Sequence, residues 1–305
     1  MKNVLILNHP FEKCGIYQFG VRVFNLAARS EKVNYSYRII NDREDYHLAL
    51  YETKPDFIIY NYHWDRMPWL REDDIINNST TQHYFIYHDG SMFNRYDKYL
   101  MFGDYSPEGN DIPENKKVIL PRPLYDYCGK YKKNKIITIG SFGFAFMNKG
   151  FPELVKMVNT TFQKAIINIH LTQAYFGDLP GHKLLDVLAS CERNNTNPNV
   201  KLNLTTDFID NTAILTFLAG NDINILNYNI YKIPSLSSAA DYLLSVKRPI
   251  AITNHSIFRH IVQNSILLEE HSIQDILDRG TTPLQEYYDK WSTEKFTQEL
   301  ENLFV

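Results

Sequence analysis

Lys149 and Gly150 stand directly before Phe151-Pro152, where an apolar strand read as ending at Gly140 has passed through a loop into a helical pattern. Proline suits a first helical turn, and Phe151, Leu154, Val155 and Val158 recur behind it at helical spacing. A lysine held at a helix N-terminus adds a mobile ammonium to fixed backbone dipoles, a combination suited to a diphosphate. An ordinary surface lysine in a turn satisfies the same pattern. A second helix start, Ser235, Ser237 and Ser238 ahead of Ala240, Leu243 and Leu244, points to the same sheet edge; serines there are N-caps first and ligand groups second. Two helix N-termini converging on one crevice would make a diphosphate site.

Neither loop is a Walker A or GxGxxG pattern, which disfavours mononucleotide hydrolysis and NAD binding. No Asp-x-Asp stands at a strand end, so no metal is required, and no cofactor is expected. Cys14, Cys128 and Cys191 are far apart and in no paired pattern, and read as free thiols. His63 and Asp65 follow the third strand at the ligand-binding edge, with Trp64 read as packing beneath a loop. His170 reads as a sheet histidine with its nitrogens satisfied, and Arg122 as a hinge or phosphate residue.

These residues need elements to hold them. Near-continuous Val/Ile/Leu/Tyr runs are expected as strands at 3–8, 35–41, 56–62, 83–88, 99–104 and 117–122, and again at 135–140, 166–172, 200–205, 223–228, 250–253 and 265–269. Runs of that kind mark strands buried on both faces, hence parallel sheets covered by helices. Two doubly wound α/β domains follow. The stretch "HPFEKCGIYQFG" (9–20) is then the first βα turn, with Gly15 before a helix whose buried face is Ile16, Phe19, Val23, Leu26 and Ala27. In such a sheet that turn lies at the carboxyl edge, where ligands bind.

A 305-residue chain exceeds the usual size of a single core. Its net charge of -3 shows no nucleic-acid footprint beyond a local basic stretch at 122–135. The opening strand is too short for a signal peptide or a membrane span, so a cytoplasmic location is expected.

The sequence resembles the GT-B glycosyltransferases, most closely the retaining family 4. The likeness rests on "KCGIYQFG", "YHDG", Lys149-Gly150, "NDINILNY", "SLSSAADYLLSVKRPIAIT", "FRHI" and the closing "LQEYYDKW" and "STEKFTQELENLF". It implies two Rossmann-like domains facing across a cleft: 1–125 on the acceptor side, 126–285 for the donor, and 286–305 crossing back to the first. The implied donor is a nucleotide-diphosphate sugar; the acceptor is a glycan, a lipid-linked sugar or DNA. The resemblance puts His88 beside the reacting sugar and Gly15, Ile16 and Tyr17 in the acceptor-side loop. Lys149, Gly150, Ser141, Ser237, Ser238 and His255 fall on the donor side, His255 serving equally as a cap. Where the family has an arginine after the strand-ending glycine this chain has Ser141, and the positions of its two glutamates fall near Ser235 and Tyr242. Those departures favour a second reading, a non-catalytic nucleotide or sugar binder of the same fold.

Overall fold

The computed structural model describes the chain except residues 77–79, 89–95, 104–111, 132, 175–177, 179–180 and 230–234. It divides into two compact units. One comprises chiefly residues 1–123 and 290–305, the other chiefly residues 124–289.

The first unit runs β1 (Lys2–Asn8), α1 (Gly15–Ala27), β2 (Val33–Ile39), α2 (Arg43–Thr53), β3 (Phe57–Tyr60), α3 (Glu72–Ile76), β4 (Gln82–Ile86), β5 (Lys98–Phe102) and β6 (Lys117–Leu120). The six strands form one parallel sheet in the order β2-β1-β3-β4-β5-β6. Successive residues of β1 face opposite cores, as the two-residue period of a strand requires. Val4 and Ile6 join Phe19, Val23 and Leu26 of α1, whereas Leu5 and Leu7 join Tyr46, Tyr60, Tyr96 and Tyr99. Both faces are therefore buried, which is why the strands read as unbroken apolar runs.

The second unit contains β7 (Thr138–Phe144), α4 (Phe151–Thr161), β8 (Ala165–Thr172), α5 (His182–Asn194), β9 (Val200–Thr205), α6 (Asn211–Ala219), β10 (Ile223–Leu226), α7 (Ala239–Ser245), β11 (Ile250–Ile252) and α8 (Ile273–Arg279). Its five strands are also parallel, in the order β11-β10-β7-β8-β9. One face carries Ile139, Ile167, Ile169, Ile223 and Ile225 against Leu154, Val155 and Val158 of α4. Across the other runs a row of amides: Asn203 donates to Asn168, Asn168 to Asn221, and Asn221 to Asn224, at 2.8–2.9 Å. Gly140 lies in that row because a Cβ there would overlap the Asn221 and Asn224 amides.

Two short helices end the chain, α9 (Gln285–Lys290) and α10 (Thr293–Glu301). Residues up to 289 cluster with the second unit. Phe296 and Leu300 of α10, with Phe304 beyond its end, belong to the first unit's core, where Phe304 packs on Phe57 at 4.9 Å between ring centres.

Two expected elements differ. β7 does not stop at Gly140 but continues to Phe144, with Ser141 paired to Ile169. The segment 265–269 is no strand: a 3-10 turn covers Asn264–Ile266, and Leu267 makes a single parallel bridge to Ile252. Among the described residues no helix is long and apolar enough to cross a membrane.

Candidate functional site

Each sheet has a point where its strand order reverses, between β1 and β3 in the first and between β7 and β10 in the second. Beyond the carboxyl ends of such strand pairs the connections diverge and leave a crevice.

At the first of these points Asn8 ends β1 and Asn61 directly follows β3, both fully buried. Asn61 Nδ2 donates to Asn8 Oδ1 and to the Ile16 carbonyl, each at 2.8 Å. Asn8 Nδ2 donates to the Tyr17 carbonyl at 3.0 Å and to Tyr37 Oη at 2.8 Å, and Asn8 Oδ1 also accepts the His9 N–H. The first turn of α1, with Ile16 and Tyr17, is thus tied to the strand ends through its carbonyls. Gly20, the second glycine of the opening motif, is what lets the helix come so close: a Cβ there would overlap the Asn61 amide.

His88, two residues past the end of β4, brings Nε2 to 2.7 Å from Asn61 Oδ1. An amide oxygen only accepts, so Nε2 carries the proton and the Nδ1 lone pair is the ring's acceptor. Its ring stands edge-on to Phe19 at 5.2 Å. Burial, then the Arg122 guanidinium and His63, push its pKa down to about 3, so it is neutral at physiological pH. His9 is likewise held down to about 3 by burial, His63, Arg66 and His88. Arg122 is buried, donating to the Phe102 carbonyl at 2.9 Å and lying over Phe19. Asp89 and Gly90, which complete the "YHDG" motif, lie outside the described residues.

At the second point the loop after β7 is stitched to the residues after β10. Asn227 Nδ2 donates to the Gly150 carbonyl at 3.3 Å, and the Asn229 N–H to the Asn148 carbonyl at 3.0 Å. Gly150 has φ 66°, and a Cβ on it would overlap the Asn227 carbonyl oxygen, so the position admits glycine alone. α4 begins there without a side-chain cap. The Lys149 ammonium lies 3.8 Å from the centre of the Tyr228 ring. Tyr228 is buried, packs on Phe258 at 4.9 Å, and accepts from Ser237 Oγ at 3.4 Å. Ser237 N–H donates to the Ile257 carbonyl, and the Ile257 N–H to His255 Nδ1. Lys149, Gly150, Ser237 and His255 therefore share one neighbourhood, with His255 acting as a cap.

Ser141 and Ser238 depart from expectation. Ser141 is buried inside β7, and its hydroxyl donates to the Ile225 carbonyl at 2.7 Å, because the strand continues through it. Ser238 precedes α7 with helical backbone angles, which turn its hydroxyl away from cap geometry, and makes no side-chain cap bond. His170 is a satisfied sheet histidine, its Nδ1 2.7 Å from Thr205 Oγ1. Trp64 is 53% exposed rather than packed beneath a loop. Among the described residues no three His, Cys, Asp or Glu side chains stand where they could share a metal ion.

The residues that sequence reasoning passed over are Asn8, His9, Asn61 and Tyr228. Asn8 closes the first strand and His9 follows it in the same way as His63 follows the third, which was the one available signal.

No family model and no curated protein matches the chain by sequence. Solved structures match it along almost its whole length. A glycosyltransferase from Rickettsia africae has a TM-score of 0.68 at 9% identity, covering 99% of this chain and 97% of that one. Anabaena Alr3699/HepE, solved with UDP and glucose, has 0.64 at 10% identity over 99% of both chains. An α-glucosyltransferase solved with UDP has 0.56 at 13% identity, covering 98% and 95%. The chain has the α/β fold of these GT-B glycosyltransferases, built on two parallel sheets.

Proposed function

We propose that this protein transfers a sugar from a nucleoside-diphosphate sugar to an acceptor. The observation that carries the reading is the start of α4: an uncapped helix N-terminus, a glycine whose lack of a side chain keeps the loop tight, and the Lys149 ammonium beside it, all at the second sheet's crevice. That set suits the diphosphate of the leaving group. The fold adds support, since its likenesses include structures solved with UDP. On the first sheet His88, neutral and fixed in one tautomer by Asn61, presents the Nδ1 lone pair to a sugar hydroxyl. Transfer then rests on positioning both reactants and on stabilising the departing diphosphate. Because this chain lacks the arginine and glutamates of the family it resembles, the anomeric outcome, retention or inversion, is left to NMR of the product, which reads it directly.

Melting curves with a panel of UDP-, GDP-, ADP- and TDP-sugars test the reading, because a ligand bound only by the folded chain raises its apparent stability. One donor class should raise the midpoint and release its nucleoside diphosphate when acceptor sugars are added. A second reading, a binder without turnover, draws on Tyr242. It stands near a position the family gives to glutamate, and its hydroxyl donates to Asn211 at 2.6 Å. Donor binding with no transfer and no hydrolysis selects that reading.

A further inference from the structure

His9 and His63 lie just past β1 and β3, and their rings meet edge-on at 5.5 Å at the first sheet's reversal point. Each histidine folds its own loop. His9 Nδ1 accepts the Phe11 N–H, and His63 Nδ1 accepts the Asp65 N–H, both at 3.2 Å. The His63 carbonyl also accepts from the Arg66 and Met67 amides, at 3.0 and 2.8 Å, which closes a tight turn over residues 63–67. Tyr62, His63 and Met67 anchor that turn from the buried side. Trp64, held among these anchors, is nevertheless 53% exposed. A turn bonded this fully fixes the indole in water, and Phe11 on the facing loop is exposed as well, at 37%. A large rigid ring presented in this way brings contact area at little entropic cost to binding.

The size and charge of the surroundings say what covers Trp64. The exposed apolar surface amounts to one indole beside a phenyl ring over which Arg66 already lies, at 4.5 Å. That is room for a single ring, and too little for an apolar chain or a bilayer. Arg66 is paired with Asp65 at 3.4 Å, and the formal charges of Glu12 and Lys13 cancel, so the two loops offer no net charge to a phosphate or a polyanion. What they present is a flat apolar face bordered by planar polar groups. A pyranose matches both parts: its C–H face stacks on an aromatic ring, and its neutral hydroxyls donate and accept at the border.

We propose that Trp64 is the stacking platform for a neutral pyranose, with the paired Asp65 and Arg66 at its rim. That this sugar belongs to the acceptor rests on the glycosyltransferase reading; the platform itself does not.

The test reads tryptophan emission and calorimetry. Of the three tryptophans Trp64 alone is exposed, Trp69 being half-buried and Trp291 buried, so a change of emission on adding ligand reports this ring. Methyl glycosides of glucose, galactose, mannose and N-acetylglucosamine are titrated into wild type, Trp64→Phe and Trp64→Ala, with UDP, adenosine and phosphatidylcholine vesicles in parallel. At least one glycoside should shift the emission of wild type to the blue and saturate. Trp64→Ala should bind that glycoside at least tenfold more weakly, whereas Trp64→Phe, which keeps an aromatic face, should lose the emission change but less of the affinity. Both variants should melt within a few degrees of wild type and bind UDP as it does, since so exposed a ring supports little of the core. A panel in which no glycoside binds wild type overturns the inference. So does a glycoside bound equally by Trp64→Ala, or an emission change produced by adenosine or vesicles and by no glycoside. UDP that fails to bind while a glycoside binds at Trp64 removes the transferase reading and leaves the platform standing.

Discussion

The two crevices are built from opposite materials. At the first sheet, buried amides and imidazoles bond one another until Asn8 has no capacity left and Asn61 has used both amide hydrogens, and two of the histidines, His9 and His88, are held neutral. At the second, one ammonium lies over a phenol ring, and the loops are fixed by backbone contacts around a glycine. A neutral hydrogen-bonded network fixes directions and so suits the orientation of hydroxyl groups. A lone ammonium beside a helix start supplies charge and tolerates variation in what it binds. Substitutions should separate the two: those in the first region damage geometry, those in the second damage either the backbone or the charge, depending on the residue.

The largest effect is expected at Gly150. Alanine there must adopt φ near 66° and place its Cβ on the Asn227 carbonyl. Strain and overpacking together cost about 3–5 kcal/mol. Calorimetric melting should show a destabilised second unit and lost UDP binding. A Gly150→Ala protein with wild-type stability would mean that the loop is looser than the stitching implies.

Next comes Asn61→Leu. It leaves the His88 Nε2–H, Asn8 Oδ1 and the Ile16 carbonyl without one partner each, for about 2–3 kcal/mol of stability. Turnover should fall further than stability, because His88 loses the bond that fixes its tautomer, whereas UDP affinity should hold. Equal losses of turnover in Asn61→Leu and in an equally destabilised variant remote from His88 would assign the network to folding alone.

These two residues also mark what could be read from sequence. The carboxyl end of β4 and the start of α4 were legible, because apolar runs and a proline after glycine leave local traces. Asn61 was not: asparagine after a strand reads as a turn residue, and only the fold brings it to Asn8 and His88. Ser141 was misplaced for the converse reason. The glycines around it look like a loop, yet Gly140 is there to admit the asparagine row, and the strand runs on to Phe144. The 265–269 segment has the apolar content of a strand, but Leu267 finds one bridge and no ladder.

A smaller effect follows pH. The unfolded chain protonates His9 and His88 near 6.5, while the folded chain resists down to about 3, so the unfolded state binds more protons across that window. Stability is full above pH 6.5 and declines as pH falls toward 3. Between pH 7 and 5 the fully buried His9 should contribute about 1–2 kcal/mol to that decline. Midpoints measured across this range should fall less steeply in His9→Phe than in wild type. Parallel curves would mean that His9 titrates in the folded chain as it does in the unfolded one.

Lys149→Ala should have the smallest effect on the fold and a selective one on binding. Lys149 is half-buried, and the described contact of its ammonium is the Tyr228 face, a cation-π pair of about 0.5–1 kcal/mol at a partly exposed site. The second unit should therefore melt within a few degrees of wild type. A charge-assisted bond to a diphosphate contributes about 1.5–3 kcal/mol, so UDP affinity should drop roughly tenfold to a hundredfold. The loss concentrates on this residue because Ser141, where the family resemblance would offer an arginine, has its hydroxyl bound to Ile225 inside the sheet. Lys149→Arg should restore the charge only in part, since a planar guanidinium stacks over Tyr228 with its donors turned along the ring rather than toward the helix start. Calorimetric titration of UDP into the three proteins, with a melting curve for each, reads both quantities. Unchanged affinity in Lys149→Ala would leave the α4 start without its cation and take away the observation on which the donor site rests.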